Sequence, residues 1–251
     1  MLAALDGISV IIPAFNAAAY LRETVASIRD YLDAAGVTYE IIVVDDGSTD
    51  GTRDCMPVAD GAVRWIRHER NFGKGRAVRT GMLAAQYDWA LFTDADNATT
   101  IDHLARFGAE AAECDILIAS RRLAASRILC PQPWFRQTLG RMFPYLVKTW
   151  VLPTFEDTQC GFKLFRKAAA ADLFGRAGVD RFAFDVEILA MAVARRWRVR
   201  EIAVDWRNPG SGSTLSLRRD TMRMFLDVLK IGWRLRRGRY PTGRDHPEAR
   251  T

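Results

Sequence analysis

Short, mostly apolar runs recur along the first half of this chain, most of them followed by a polar turn and a helix-length stretch. Ile8-Ser9-Val10-Ile11-Ile12 stops at Pro13, and Glu40-Ile41-Ile42-Val43-Val44 runs into the turn Asp45-Asp46-Gly47-Ser48. Further runs lie near 62–66, 88–93 and 115–119. Strands without polar alternation are buried on both faces. Between the first two runs, Tyr20, Leu21, Val25, Ile28, Tyr31 and Leu32 fall at helical spacing over 17–35, and Gly36 ends that helix. A short helix is expected after Ser48, one opening at Gly73, and one before 115. The alternation predicts an α/β domain: a mostly parallel sheet with helices on both faces. Ligands of such sheets bind beyond the carboxyl ends of the strands. The polar clusters that begin at Pro13, Asp45 and Asp94 are therefore predicted to converge on one cleft.

Of the 251 residues, 49% are hydrophobic, enough for one sizeable core and too many for bulk disorder. The domain is expected over 1–214, in halves 1–115 and 116–214, followed by an amphipathic helix over 215–239 and a loose tail over 240–251. The net charge of +6 hides a split: residues 1–115 carry 10 basic and 18 acidic side chains, and the remainder is strongly basic. Two surfaces with different partners would explain this, as would basic residues that merely solvate helices. Cys55, Cys114, Cys130 and Cys160 form no Cys-x-x-Cys pair, which argues against zinc and fits a reducing compartment. No basic-then-apolar leader and no bilayer-length apolar run is visible, so a cytoplasmic protein is expected. No nucleic-acid motif accompanies the basic half.

That basic half contains two amphipathic stretches. In 215–239, Met222, Phe225, Leu226, Leu229 and Trp233 fall on one helical face, with Arg223, Asp227, Lys230, Arg234 and Arg237 opposite. In 131–152, Trp134, Phe135, Leu139, Met142, Phe143, Leu146 and Trp150 sit among Arg136, Arg141 and Lys148. Tryptophan beside arginine suits the plane of an anionic bilayer. The other reading packs these faces on the sheet or on a second copy, as a homo-oligomer.

Asp94-Ala95-Asp96 follows a strand directly. If the backbone stays extended there, both carboxylates point the same way and can hold a hard cation through oxygen. A cation clamped on a diphosphate leaving group would lower the barrier to its departure. Taken alone, an acidic pair is more often a solvated loop.

The context is more specific. Ile11-Ile12-Pro13-Ala14-Phe15-Asn16, Val43-Val44-Asp45-Asp46-Gly47-Ser48, Asn71-Phe72-Gly73-Lys74-Gly75, the acidic triplet, Asp157-Thr158-Gln159-Cys160-Gly161-Phe162-Lys163-Leu164-Phe165, Phe182-Ala183-Phe184-Asp185-Val186-Glu187 and Val204-Asp205-Trp206 occur in that order. This series resembles the inverting family 2 nucleotide-sugar glycosyltransferases of GT-A fold, in the branch that loads sugars onto polyprenyl or dolichyl phosphate. The resemblance implies a Rossmann-like sheet and a nucleotide-sugar donor, with a UDP-sugar favoured. By it, Pro13, Ala14, Asn16, Asp45, Lys74 and Asp94 would bind the donor, Asp45 accepting from the base while Asp46 holds the loop. Asp94 and Asp96 would anchor Mg²⁺ or Mn²⁺. Arg121 would face the acceptor phosphate, and Asp157, Gln159 and Lys163 would form the reacting edge. Asp185 and Glu187 are equally readable as site residues or as a helix-start charge pair. Two departures stand out: Ala17 where the family commonly has an acid, and Pro209-Gly210-Ser211-Gly212-Ser213-Thr214 where a lysine is usual, for which Arg218 or Arg219 could substitute.

An alcohol acceptor needs a base, whereas a phosphate monoester, with a second pKa near ~6, is already largely ionised at neutral pH. His68, His103 and His246 lie outside every motif, and only Asp157 offers itself as a carboxylate base. Together with the basic half, this favours a polyprenyl-phosphate acceptor at the cytoplasmic membrane face. The rivals are a soluble or glycan hydroxyl acceptor, and a non-catalytic nucleotide-sugar binder.

Overall fold

The structure is a computed structural model that describes residues 5–55, 61–130, 143–207 and 219–240. Seven strands form the main sheet: β1 (Ile8–Ala14), β2 (Tyr39–Asp45), β3 (Val63–Arg67), β4 (Trp89–Thr93), β5 (Ile116–Ser120), β7 (Phe162–Arg166) and β8 (Val199–Ala203). A separate two-stranded sheet pairs β6 (Arg127–Cys130) with β9 (Asp205–Arg207). The main order is β3-β2-β1-β4-β7-β5-β8. Every pairing in it is parallel except the two made by β7, which runs against β4 and β5.

The helices are α1 (Leu21–Ala35), α2 (Lys74–Ala84), α3 (Leu104–Glu110), a helix described over 143–150 (α4), α5 (Lys167–Arg176), α6 (Phe184–Ala194) and α7 (Arg219–Arg236). Strand side chains alternate between two buried layers. Ile11, Ile42, Val44 and Phe92 face the layer that holds α2, α5, α6 and α7, while Val10, Ile12, Ile41 and Leu91 face the layer that holds α1 and α3. Helices on both faces explain why these strands read as continuous apolar runs. The short helix expected after Ser48 does not form within the described residues, because 51–55 are turns. There Thr52 and Asp50 side chains bond the Ala17 and Ala18 N–H groups instead, local capping that competes with helix.

The chain leaves β1 for β2 and β3 on one side, then returns to lay β4 on the other side of β1. This reversal is the position at which open α/β sheets bind ligands. Antiparallel β7 enters the sheet from the same edge, with Phe162 opposite Thr93, so residues 157–161 join the loops after β1, β2, β4 and β5.

α7 has three faces rather than the two expected. Val228 and Ile231 are fully buried against the domain, Leu235 packs beside them, and Arg234 turns inward to Glu187. The apolar residues Met222, Phe225, Leu226 and Trp233 stay exposed. Part of the second amphipathic stretch does pack on the core, through Phe143, Leu146 and Val147 of α4; its residues 131–142 lie outside the described residues. So do the 209–214 loop and Arg218. Of the expected loose tail, Tyr240 is buried and its hydroxyl donates to Glu187 at 3.1 Å. Among the described residues, no helix is long and apolar enough to cross a membrane.

Candidate active site

On the β1–β2 side, Pro13 and Ala14 lie opposite Val44 and Asp45 across paired strands. The Asp45 carboxylate is buried, and its Oδ1 accepts from Ser48 N–H at 2.8 Å. Its Oδ2 has no hydrogen bond and a 3.6 Å ionic contact with Arg67 Nε, which leaves a buried acceptor incompletely satisfied. Asp46 takes the loop-holding role: it accepts from Phe72 and Gly73 N–H at 3.0 and 2.8 Å and from His68 Nδ1 at 2.7 Å. Asn16, expected to touch the donor, spends its amide oxygen on Thr49 N–H at 2.9 Å, and its N–H donates to Ser48 Oγ. It ties the loop after β1 to the loop after β2. Ala17 is buried and bonded through its backbone to Thr52, so that position does not reach into the cleft.

The acidic triplet is a turn, not an extended segment, with Asn97 at φ 52°. Thr24 Oγ1 donates to Ala95 O at 2.7 Å and fixes the middle of it. Asp94 Oδ1 lies 2.6 Å from Lys74 Nζ at the start of α2, and Asp96 Oδ1 accepts from Ala98 N–H. Burial, and then the charge of Asp94, push the Asp96 carboxyl upward. Burial works against the Lys74 charge, but Asp94 and Asp185 outweigh it and hold the ammonium above the usual lysine range. A carboxylate whose proton affinity is raised by burial and by a neighbouring carboxylate fits a divalent cation whose remaining ligands come from water or phosphate. No cluster of three or more potential protein ligands occurs among the described residues.

Gly161 is indispensable to this arrangement. A Cβ there would lie 2.0 Å from Asp94 Oδ2, and the Gly161 carbonyl accepts from Asp94 N–H at 3.0 Å.

On the β5–β7 side the charges are closed in pairs. Asp157 is buried and accepts from Arg121 Nε, Nη2 and N–H at 2.7, 3.0 and 3.0 Å and from Gln159 N–H at 3.1 Å. Burial alone would raise its pKa, but the Arg121 guanidinium wins and holds the carboxyl below the usual range. Glu201, outside every motif, accepts from the Glu156 and Asp157 N–H groups and fixes this loop. Arg121 also stacks 5.5 Å over Trp206. Gln159 Nε2 is buried without a hydrogen-bond partner.

Lys163, expected on the reacting edge, is turned inward. It is 1% exposed, with Nζ donating to Asp185 Oδ1 and Cys160 O, both at 2.6 Å. Strand alternation turns its side chain to the face that carries α6, where a carboxylate waits. Asp185 is thereby a buried structural partner. Burial, offset by Lys163, leaves its carboxyl raised.

Sequence reasoning missed Thr24, Glu201 and Tyr20, whose hydroxyl is pushed upward by burial and by Asp96, Asp50 and Asp94. Thr24 and Tyr20 sit at the start of α1, where nothing in the local pattern marks them.

Residues 9–174 match the profile of Glycosyl transferase family 2. The chain belongs to that family. It is a glycosyltransferase of the dolichyl-phosphate branch, being 35% identical to dolichyl-phosphate beta-glucosyltransferase of Drosophila melanogaster over 91% of this chain and 77% of that one. The human protein of the same name is 32% identical over 92% and 79%. Among solved structures, glucosyl-3-phosphoglycerate synthase from Mycobacterium tuberculosis, in complex with Mn²⁺, UDP and glucosyl-3-phosphoglycerate, superimposes with a TM-score of 0.70 at 17% identity, covering 92% of this chain and 82% of that one. That likeness establishes the GT-A fold.

Proposed function

We propose that this enzyme transfers a sugar, with inversion, from a UDP-sugar, UDP-glucose first, to a polyprenyl phosphate at a membrane surface. The observation that carries the acceptor is the pairing of its carboxylates. Asp157, the one carboxylate on offer as a base, has its oxygens engaged by four hydrogen bonds and its proton affinity lowered. Asp185, also buried, is bonded to Lys163. A hydroxyl nucleophile would lack a base there, whereas a phosphate oxygen is ionised without one. Arg121, pinned by Asp157, presents a fixed guanidinium to that phosphate. The relatives named for a dolichyl-phosphate acceptor support the same choice.

On the donor side, the open Asp45 Oδ2 accepts an N–H of the base, as a uracil would offer, between Pro13 and Ala14. Lys74 approaches the diphosphate from the N-terminus of α2, where backbone N–H groups favour anions. Asp94 and Asp96 would hold Mg²⁺ or Mn²⁺, which supplies charge stabilisation to the departing diphosphate. Gln159 Nε2 donates to the sugar or diphosphate.

The exposed apolar face of α7 would lie in the bilayer interface. Arg237 and Arg239 both sit 4.9 Å from the Trp233 ring, and Arg236 covers Trp150 of α4 at 3.7 Å. Cations stacked beside partly exposed tryptophans match an anionic headgroup layer over acyl chains.

The test is to incubate the protein with Mn²⁺ and a polyprenyl phosphate, offer UDP-sugars and GDP-mannose singly, and weigh the organic phase by mass spectrometry. A chelator-sensitive glycosyl-phosphoprenol from UDP-glucose is expected. A purely water-soluble glycoside would replace this reading with a hydroxyl or soluble acceptor.

A further inference from the structure

We infer that Glu187 is a positioning residue that links the seat of α7 to the donor site. Its buried carboxylate gathers donors from three separate segments. Oε2 accepts from Gly178 and Val179 N–H at 2.8 and 2.7 Å, while Oε1 accepts from Arg234 Nη1 of α7 at 3.2 Å and from Tyr240 OH at 3.1 Å. A carboxylate with both oxygens doubly engaged holds all its donors in one geometry.

The segment it grips is wedged on its other side against the start of α2. Asp180 O accepts from Arg76 N–H at 2.9 Å. A Cβ on Gly73 would lie 2.6 Å from Asp180 O, and one on Gly75 would lie 2.6 Å from Phe184 Cβ and 2.7 Å from Val179 O. Residues 178–184 therefore touch the backbone on both sides of Lys74, the residue that meets Asp94 at 2.6 Å. Two residues before Glu187 on the same helix turn, Asp185 holds Lys163. The contacts run without a gap from α7 through Glu187 and residues 178–181 to Gly73–Gly75, Lys74 and Asp94. Moving α7 on its seat displaces the lysine that approaches the diphosphate. The helix that would meet the bilayer and the helix that would meet the donor share one buried carboxylate.

The inference rests on the donor reading of the site, and one experiment separates the two. Amide hydrogen exchange and UDP·Mn²⁺ affinity are measured on the full chain, on Glu187→Gln and on Tyr240→Phe. Faster exchange is expected in both variants over 73–77 as well as over 219–240. UDP·Mn²⁺ should bind about 5-fold or more weakly to Glu187→Gln, the lower range of coupling between linked sites, and less so for Tyr240→Phe. If Glu187→Gln does not fold, Tyr240→Phe, which removes one hydroxyl, carries the test alone. Looser α7 amides with unchanged exchange over 73–77 would overturn the link. So would a uniform rise that includes β1 and β2, since that is lost stability only. A wild-type protein that binds no UDP·Mn²⁺ would discard the donor reading, and the exchange data would still decide the link.

Discussion

The two sides of the catalytic edge treat charge in opposite ways. On the β1–β2–β4 side, Asp45 keeps an oxygen without a hydrogen bond, and Asp94 and Asp96 crowd each other. On the β5–β7 side, every charged motif residue described is matched: Asp157 with Arg121, Asp185 with Lys163. The first side keeps carboxylate capacity unspent. The second has its buried carboxylates paired, although the Gln159 amide nitrogen has no hydrogen bond. Unspent polar capacity marks where ligand groups arrive, and a closed buried pair marks where geometry is being held.

The largest effect that would sharpen this contrast is functional. Asp96→Ala should lower turnover by on the order of 10²–10³, the scale for losing one group that stabilises transition-state charge, while the unfolding midpoint stays level or rises because a crowded carboxylate has gone. Steady-state nucleotide release and a denaturant melt together check it. Unchanged turnover would remove Asp96 from the site.

On the closed side the same kind of change should strike stability. Lys163→Met leaves Asp185 buried and unpaired, which costs about 3–5 kcal/mol. Adding Asp185→Leu should return most of that loss, because an apolar pair of similar volume suits the site. Equilibrium denaturation of the single and double variants reads the difference. A single variant that remains stable but inactive would show Lys163 acting on substrate after all.

Acid should open the closed side as well. Asp157 has a carboxyl held below its ordinary value of 3.8. The stability it contributes is complete above that value and is lost as the pH falls through the lower, folded one. Asp157→Asn should therefore be less stable at neutral pH and lose less on acidification, as thermal melts at stepped pH would show.

The mildest expected effect lies away from the cleft. Phe225→Ser with Trp233→Ala should shift stability by no more than about 0.5 kcal/mol, since both are surface positions, yet weaken sedimentation with anionic liposomes at low salt. Undiminished sedimentation would move the membrane contact elsewhere.

Much of this was legible beforehand, and the part that was not follows a physical pattern. The five strands β1 to β5 announce themselves in apolar runs, because burial on both faces leaves little polar alternation, and the converging loops follow from strand direction; β7 and β8, broken by Lys163, Arg166, Arg200 and Glu201, do not. Asp45, Asp94 and Asp96 were found at the edge because they end strands. The inward turn of Lys163 is not legible because a motif letter does not say which face of β7 it occupies, and its partner Asp185 is 22 residues away. The motif offers Asn16 to the donor, whereas its amide oxygen accepts from a loop 33 residues on. The acidic triplet was expected to be extended, yet Thr24 draws it into a turn from α1. The faces of α7 resolved only with the domain in place, because sequence periodicity separates apolar from charged but not buried apolar from exposed apolar. Each miss involves a partner distant in the chain.

The most direct test of the account offers the enzyme two lipids that differ in one group: a polyprenyl phosphate and the matching polyprenol. UDP-glucose and Mn²⁺ are held constant, and the glycosylated product in the organic phase is counted for each. An acceptor side with no free base predicts product from the phosphate alone. Glycosylation of the polyprenol at a comparable rate would contradict it, because a base would then have to exist where Asp157 and Asp185 are already paired.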